Sequence, residues 1–135
     1  MATSFYSPAR AKMLAGGLDW VGATYRAQLI DTGTYSFSAA HQYLSSVPGG
    51  ARIGAPQDLA NKSVTADGSA DADDLTFTSV SGVSVEALIV YKVGVDDTDS
   101  ELIIFIDQAT GFPFDPNTGN VICQWSNATA RIFRP

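Results

Sequence analysis

His41 is the only histidine in this chain and Cys123 the only cysteine, so any Ser-His-Asp or Cys-His machinery would have to pass through His41. The residues around it, SAAHQYLSS, do not form a nucleophile turn, and a single histidine at the head of a helical turn packs or caps. One histidine with one cysteine is too few nitrogen and sulfur ligands for zinc, and a lone cysteine cannot close an internal disulfide. Cys123 lies in VICQW, where strand alternation makes it a buried or half-buried structural thiol. Two acidic stretches, DGSADADD (Asp67, Asp71, Asp73, Asp74) and DDTD (Asp96, Asp97, Asp99), carry the hard oxygen ligands that calcium prefers. Neither has the central glycine and closing Glu of an EF-hand loop, and neither shows the groove a paired-carboxylate hydrolase needs. NTGN and PGGARIG contain glycines but no following Lys-Ser/Thr helix start, so they read as turns, not phosphate cradles. Trp20, Trp125, Phe112 and Phe114 could stack against a sugar, or serve as core or subunit interface. No catalytic set emerges, so no enzyme activity, cofactor or metal is expected.

The elements that would position these residues follow from composition and punctuation. A chain of 135 residues, 45% apolar and 16% charged, suits one domain that removes about two-thirds of its unfolded surface from water. Its longest apolar run falls well short of the roughly 20 residues of a membrane helix. The formal charge of -6 with eight scattered Lys and Arg residues argues against nucleic acid, which needs a concentrated basic face. The opening MATSFYSPARAKMLAGG lacks the apolar core of a signal peptide, so synthesis in a cytoplasm is expected, and the sequons at Asn61 and Asn127 carry no weight.

One short helix is expected near the start, capped by Ser7, with Pro8 in its first turn and Gly16-Gly17 ending it; its apolar face includes Met13 and Leu14. A second helical turn is expected over SAAHQYLSSV, capped by Ser38 and stopped by PGG. The rest reads as strands. ATYRAQLID sets Tyr25, Ala27 and Leu29 opposite Arg26 and Gln28, which marks a sheet with one wet face. An Asp67-Gly68 turn precedes a strand with Leu75, Phe77 and Ser79 on one side. SVEALIVYKVG and SELIIFIDQATG, about Val85 to Val93 and Leu102 to Asp107, are apolar on both faces and so central, joined by an acidic hairpin loop. VICQWSN, with Val121, Cys123 and Trp125 on one side, and ARIFR supply the last strands. The spacing predicts a mainly β, single-domain antiparallel β-sandwich or barrel-like fold over residues 1–135, with a short N-terminal helix.

The order of the pieces carries a resemblance over nearly the whole chain. ARAKMLAGGLDWVGATYRAQLIDTGTY, HQYLSSVPGGARI, LANKSVTADGSADADDLTFTSVSG, EALIVYK, LIIFIDQATGFPFDPNTGNV and QWSNATARIFR together resemble a family of small tailed-bacteriophage virion structural proteins. The sequence departs from that pattern at VGVDD, where an Asp-Thr-Gly turn often follows the Lys. The resemblance implies a virion component, most often a capsid decoration or cement protein that binds the major capsid protein as a homotrimer on the capsid surface. In that setting the arm from Met1 to Tyr6, with Phe5 and Tyr6, and the helix carrying Arg10 and Lys12 would touch the shell, because positive charge gathers there on an otherwise acidic body. Tyr43, Arg52, Phe112 and Phe114 would make contacts between subunits. A head-fibre base, a tail location and a carbohydrate-binding module on the virion surface are the other readings.

Overall fold

The computed structural model describes residues 3–66, 68–106 and 115–123, with the backbone alone at Thr3 and Cys123. In chain order the elements are β1 (Thr3–Phe5), α1 (Ser7–Leu14), β2 (Tyr25–Ile30), β3 (Arg52–Asp58), β4 (Ser63–Val64), β5 (Ala70–Asp71), β6 (Leu75–Phe77), β7 (Ala87–Lys92), β8 (Glu101–Ile106) and β9 (Val121–Cys123). The fold is mainly β. A five-stranded antiparallel sheet in the order β1-β8-β7-β2-β3 forms its body, with β4-β5 and β6-β9 as two-stranded satellites.

The hairpin of β7 and β8 stands inside this sheet, as its apolar runs require: Ala87 to Tyr91 and Leu102 to Ile106 are all buried. Strands apolar on both faces need cover on both faces. Opposed residues share a face, so Tyr25, Ala27 and Leu29 of β2 lie on one side with Lys92, Val90 and Leu88, while Gln28 and Ile30 lie on the other with Ile89 and Ala87. The first side carries α1 and the β4-β5 hairpin. Over the second lies an aromatic group: Phe37 stands 4.9 Å from Phe105 and 5.1 Å from Tyr6, ring centre to ring centre.

Helix α1 ends as its glycines dictate. Gly16 has a φ of +78°, and the Gly17 and Gly16 amides donate to the carbonyls of Lys12 and Met13, the crossed pair that closes a helix on a left-handed residue. Its start differs from expectation: Tyr6 occupies the cap position, no side chain caps the helix, and Ser7 is its first residue. Nor does SAAHQYLSSV form a helix. It yields a short 3₁₀ turn at Leu44–Ser46, with another at Gly49–Ala51, because the Leu44 and Leu102 amides donate instead to the carbonyls of Ser100 and Gln42 along β8.

Three further expectations are corrected. Arg52 to Gly54, the end of the segment PGGARIG read as a turn, open β3, the edge strand beside β2. Pairing steps from Ala27↔Gln57 to Leu29↔Ile53, so Gln28 alone faces residues 54–56. Gly54 provides the positive φ of +72° and Pro56, which has no amide hydrogen to lose, sits in the same bulge. The face of β2 expected to be wet is open at Arg26, whose side chain is 39% exposed, but covered at Gln28, which is 2% exposed and whose Nε2 donates to the carbonyls of Ile53 at 2.9 Å and Gly54 at 3.1 Å. The alternation after β6 also breaks at Ser79, whose φ of +51° turns the chain and leaves Val80, not Ser79, buried. The expected ARIFR strand, Asp107 and Asp67 of the Asp67-Gly68 turn lie outside the described residues; β4 and β5, which flank that turn, pair as a hairpin.

Candidate docking surface

Apolar side chains are open to solvent where α1 meets the β4-β5 hairpin. A groove of about 330 Å³ lies between them, lined by Met13, Leu14, Leu18, Trp20, Tyr25, Val64, Gly68, Ala70 and Ile103. Tyr25 and Ile103, both on the helix-covered face of the sheet, supply its floor. Ile103 reaches that face because β8 carries an extra residue between the pairs Val90↔Ile104 and Tyr91↔Leu102. Met13 packs on the core; Leu14, one residue on, is 92% exposed, and Val64 across the groove is 57% exposed.

Trp20 ties the hairpin wall to the floor. Its indole N–H donates to the backbone carbonyls of Ser63 at 3.0 Å and Asp71 at 3.2 Å, one on each strand of the hairpin, and its ring stands 4.9 Å from Tyr25. Burial, followed by the negative charges of Asp19 and Glu101, pushes the Tyr25 phenol up to about 12; its hydroxyl donates to the Asp19 carbonyl. Trp20 is thus a structural brace whose one donor is already engaged.

Arg10 is exposed on α1, and Lys12 is ion-paired with Glu101 of β8. Ser7, Arg10, Ala11 and Leu14 are the exposed residues of the helix and fall on one stripe at helical spacing. Of the arm expected to touch the shell, Thr3–Phe5 pairs with Ile104–Ile106 as the sheet's edge strand, and Met1 and Ala2 lie outside the described residues. Phe5 packs partly on the core, and Tyr6 is corrected as a shell contact because it is fully buried.

The Tyr6 hydroxyl lies 2.9 Å from that of Tyr35, which in turn lies 2.8 Å from Nδ1 of His41. Burial pushes both phenols above the usual tyrosine range, Tyr6 the further. His41 therefore meets a phenol, not a carboxylate, and the chain of hydroxyls leads inward to the core instead of to a cleft.

Tyr43 and Arg52 come together at the end of the β7-β8 hairpin. Tyr43 forms a bridge with Glu101 and is half-buried. Arg52 donates through Nη1 to Asp97 at 2.7 Å and through Nη2 to the carbonyls of Leu44 and Val47 at 2.9 and 2.8 Å. These contacts are within the chain. Phe112, Phe114 and Trp125 lie outside the described residues. Of the acidic loops, that between β7 and β8 is closed on itself: Asp96 accepts from the amide and hydroxyl of Thr98, which lowers its pKa, and Asp99 accepts from the Asp96 amide. Among the described residues no group of three or more His, Cys, Asp and Glu side chains is placed to hold a metal ion.

Leu18, Tyr25, Val64, Ala70 and Ile103 were not legible as one surface, since segments distant in sequence meet there; Met13 and Leu14 carried a signal as the apolar side of the first helix, and Trp20 as an aromatic suited to a platform, core or interface. No protein-family model matches the chain, and no curated protein matches it.

Proposed function

We propose that this chain is a virion structural protein of a tailed bacteriophage, a capsid cement protein that docks on the major capsid protein through the outer stripe of α1. The observation that carries the reading is the pairing of Arg10 with a Leu14 that is 92% exposed on a helix anchored to a rigid sheet. A large aliphatic side chain at that exposure, beside a cation, is suited to a partner surface with apolar and acidic groups. The resemblance of the sequence to phage virion proteins supports the same reading, as does the arrangement of His41, Arg52 and Gln28, whose polar atoms serve the fold.

Such a protein acts by number. Each contact adds about 25 cal/mol per Å² of apolar surface buried, before association costs, and a homotrimer bridging neighbouring capsomers would couple several such contacts. The test is addition of purified protein to heads that lack it, followed by cryo-electron microscopy. Stoichiometric density on the outer shell, lost with Arg10→Glu and Leu14→Glu variants that keep the wild-type circular dichroism, is the expected result. Density confined to a vertex or the tail, or none, refutes it.

A further inference from the structure

The hydroxyl chain that ends at His41 has one consistent direction. Tyr6 is fully buried, and among the described residues its hydroxyl has a single partner, the Tyr35 oxygen 2.9 Å away. A phenol proton left in a core without an acceptor costs the full desolvation of that group, so Tyr6 donates to Tyr35. The one proton of Tyr35 then goes to Nδ1 of His41, 2.8 Å from its oxygen, and Nδ1 must be free to accept it. The imidazole is thereby fixed as the neutral ring that carries its hydrogen on Nε2. Burial keeps both phenols protonated near neutrality, so neither can relieve the chain by giving up a proton.

A second proton on this ring would sit on Nδ1, facing a hydroxyl already aimed at it. Either the bond between Tyr35 and His41 breaks, or the chain reverses and strands the Tyr6 proton in the core. No charge compensates. Tyr35 is the one hydrogen-bond partner of His41 among the described residues, and none of their ion pairs includes it. The next residues, Gln42 and Tyr43, run along Leu102 and Glu101 of β8, where the Glu101 carboxylate is taken by Lys12. His41 is half-buried, so solvent protons reach it. The same corner ties two segments together: Tyr6 joins β1 to α1, the Phe37 ring stands 5.1 Å from its ring, and the Ser7 amide donates to the Ala39 carbonyl at 2.7 Å.

We propose that Tyr6, Tyr35 and His41 form a proton-sensitive latch, which closes residues 35–41 over the junction of β1 and α1 while His41 is neutral and loosens that corner when His41 takes up a proton. The fold favours the neutral ring, so the unfolded chain binds more protons as pH falls through about 6.5, the ordinary imidazole value. Stability present above that pH is therefore lost below it. This inference does not depend on a virion role.

Nitrogen-15 nuclear magnetic resonance of the imidazole in the full chain at pH 7.5 reads the tautomer directly. The expected result is a bare Nδ1 and a protonated Nε2; a hydrogen on Nδ1 overturns the proposal without any variant. In urea unfolding, the folded-to-unfolded ratio of the wild type should fall by up to about tenfold more per pH unit below 6.5 than that of His41→Gln, whose side-chain oxygen can take the Tyr35 hydrogen but does not titrate. Equal losses in the two proteins overturn the latch. Amide exchange, corrected for its own pH dependence, locates the effect: between pH 7.5 and 5.5 the Ser7 amide should lose protection severalfold in the wild type alone, while β7 keeps its protection. Loss of equal size in Ser7 and β7 refutes a local device. None of these readouts involves a capsid, so each result stands whether or not the protein binds one.

Discussion

Replacing Gln28 by leucine tests whether the bulge between β2 and β3 depends on one side-chain amide. Leucine has nearly the same volume, so little cavity is made, and the change is chiefly chemical. It removes the donor that serves the carbonyls of Ile53 and Gly54 at a residue 2% exposed. A buried polar group left without its partner costs about 1–3 kcal/mol, so losing the donor to two carbonyls, partly relieved by local shifts, should cost about 2–4 kcal/mol. At this size each kcal/mol moves the melting temperature by about 4 °C, giving a fall of about 8–16 °C in thermal melts and a matching drop in the urea midpoint at unchanged slope. Gly54→Ala should cost about 1–2 kcal/mol on its own. The added Cβ would meet Val80 methyls at 3.7 Å, ordinary contact, so the penalty is the left-handed φ of +72° alone. The two changes share one bulge and should not add. A loss below about 1 kcal/mol for Gln28→Leu would show that the bulge closes without the amide and that the reasoning is wrong.

The remaining predictions concern the groove, the helix and alkaline pH. Trp20→Phe removes the indole donor but keeps a ring beside Tyr25, and should speed amide exchange in β4 and β5 at least tenfold while leaving β7 and β8 unchanged; equal protection in all four strands would contradict the brace. Because burial raises the phenol of Tyr25 to about 12 and those of Tyr6, Tyr35 and Tyr91 in the same direction, the unfolded chain loses protons first above about pH 10. This contribution to stability should therefore be full below pH 10 and fall by about 1.4 kcal/mol per pH unit for Tyr25 as pH climbs towards 12, with the other three tyrosines adding in the same direction; a urea midpoint constant from pH 8 to 11.5 would refute this. Leu14→Glu, at a side chain almost wholly in solvent, should change the melting temperature by less than about 2 °C, and a larger fall in a melt would mean that Leu14 is packed.

The apolar runs of β7 and β8 announced central strands because neither had a polar face to present to water, and Gly16-Gly17 announced the helix end because only glycine closes it cheaply. The same logic misread β3. Gly54 and Pro56 are turn signals when taken locally, and only the neighbouring strand, whose Gln28 amide occupies the bulge, makes them parts of a strand. Gln28 was read as facing solvent because alternation distinguishes two faces but not whether a second layer covers one. Strand β1 is too short for any periodic signal, and its pairing is with residues about a hundred positions away. The groove was hidden for a related reason: α1, Trp20 and Val64 meet only once the sheet exists, and nothing local in LDWVG says that its tryptophan will brace a hairpin.

The strand order β1-β8-β7-β2-β3 has a consequence for how the molecule comes into being. The first two strands to leave a ribosome wait for the seventh and eighth, so a nascent chain can pair β2 with β3 but must hold an unsheltered greasy edge until Ala87 to Ile106 emerge. Closure of such distant pairs is slow relative to helical folds. Self-association should therefore threaten this protein most in the interval before its middle hairpin arrives, and a chain truncated just short of Ala87 should be found in aggregates, not in solution.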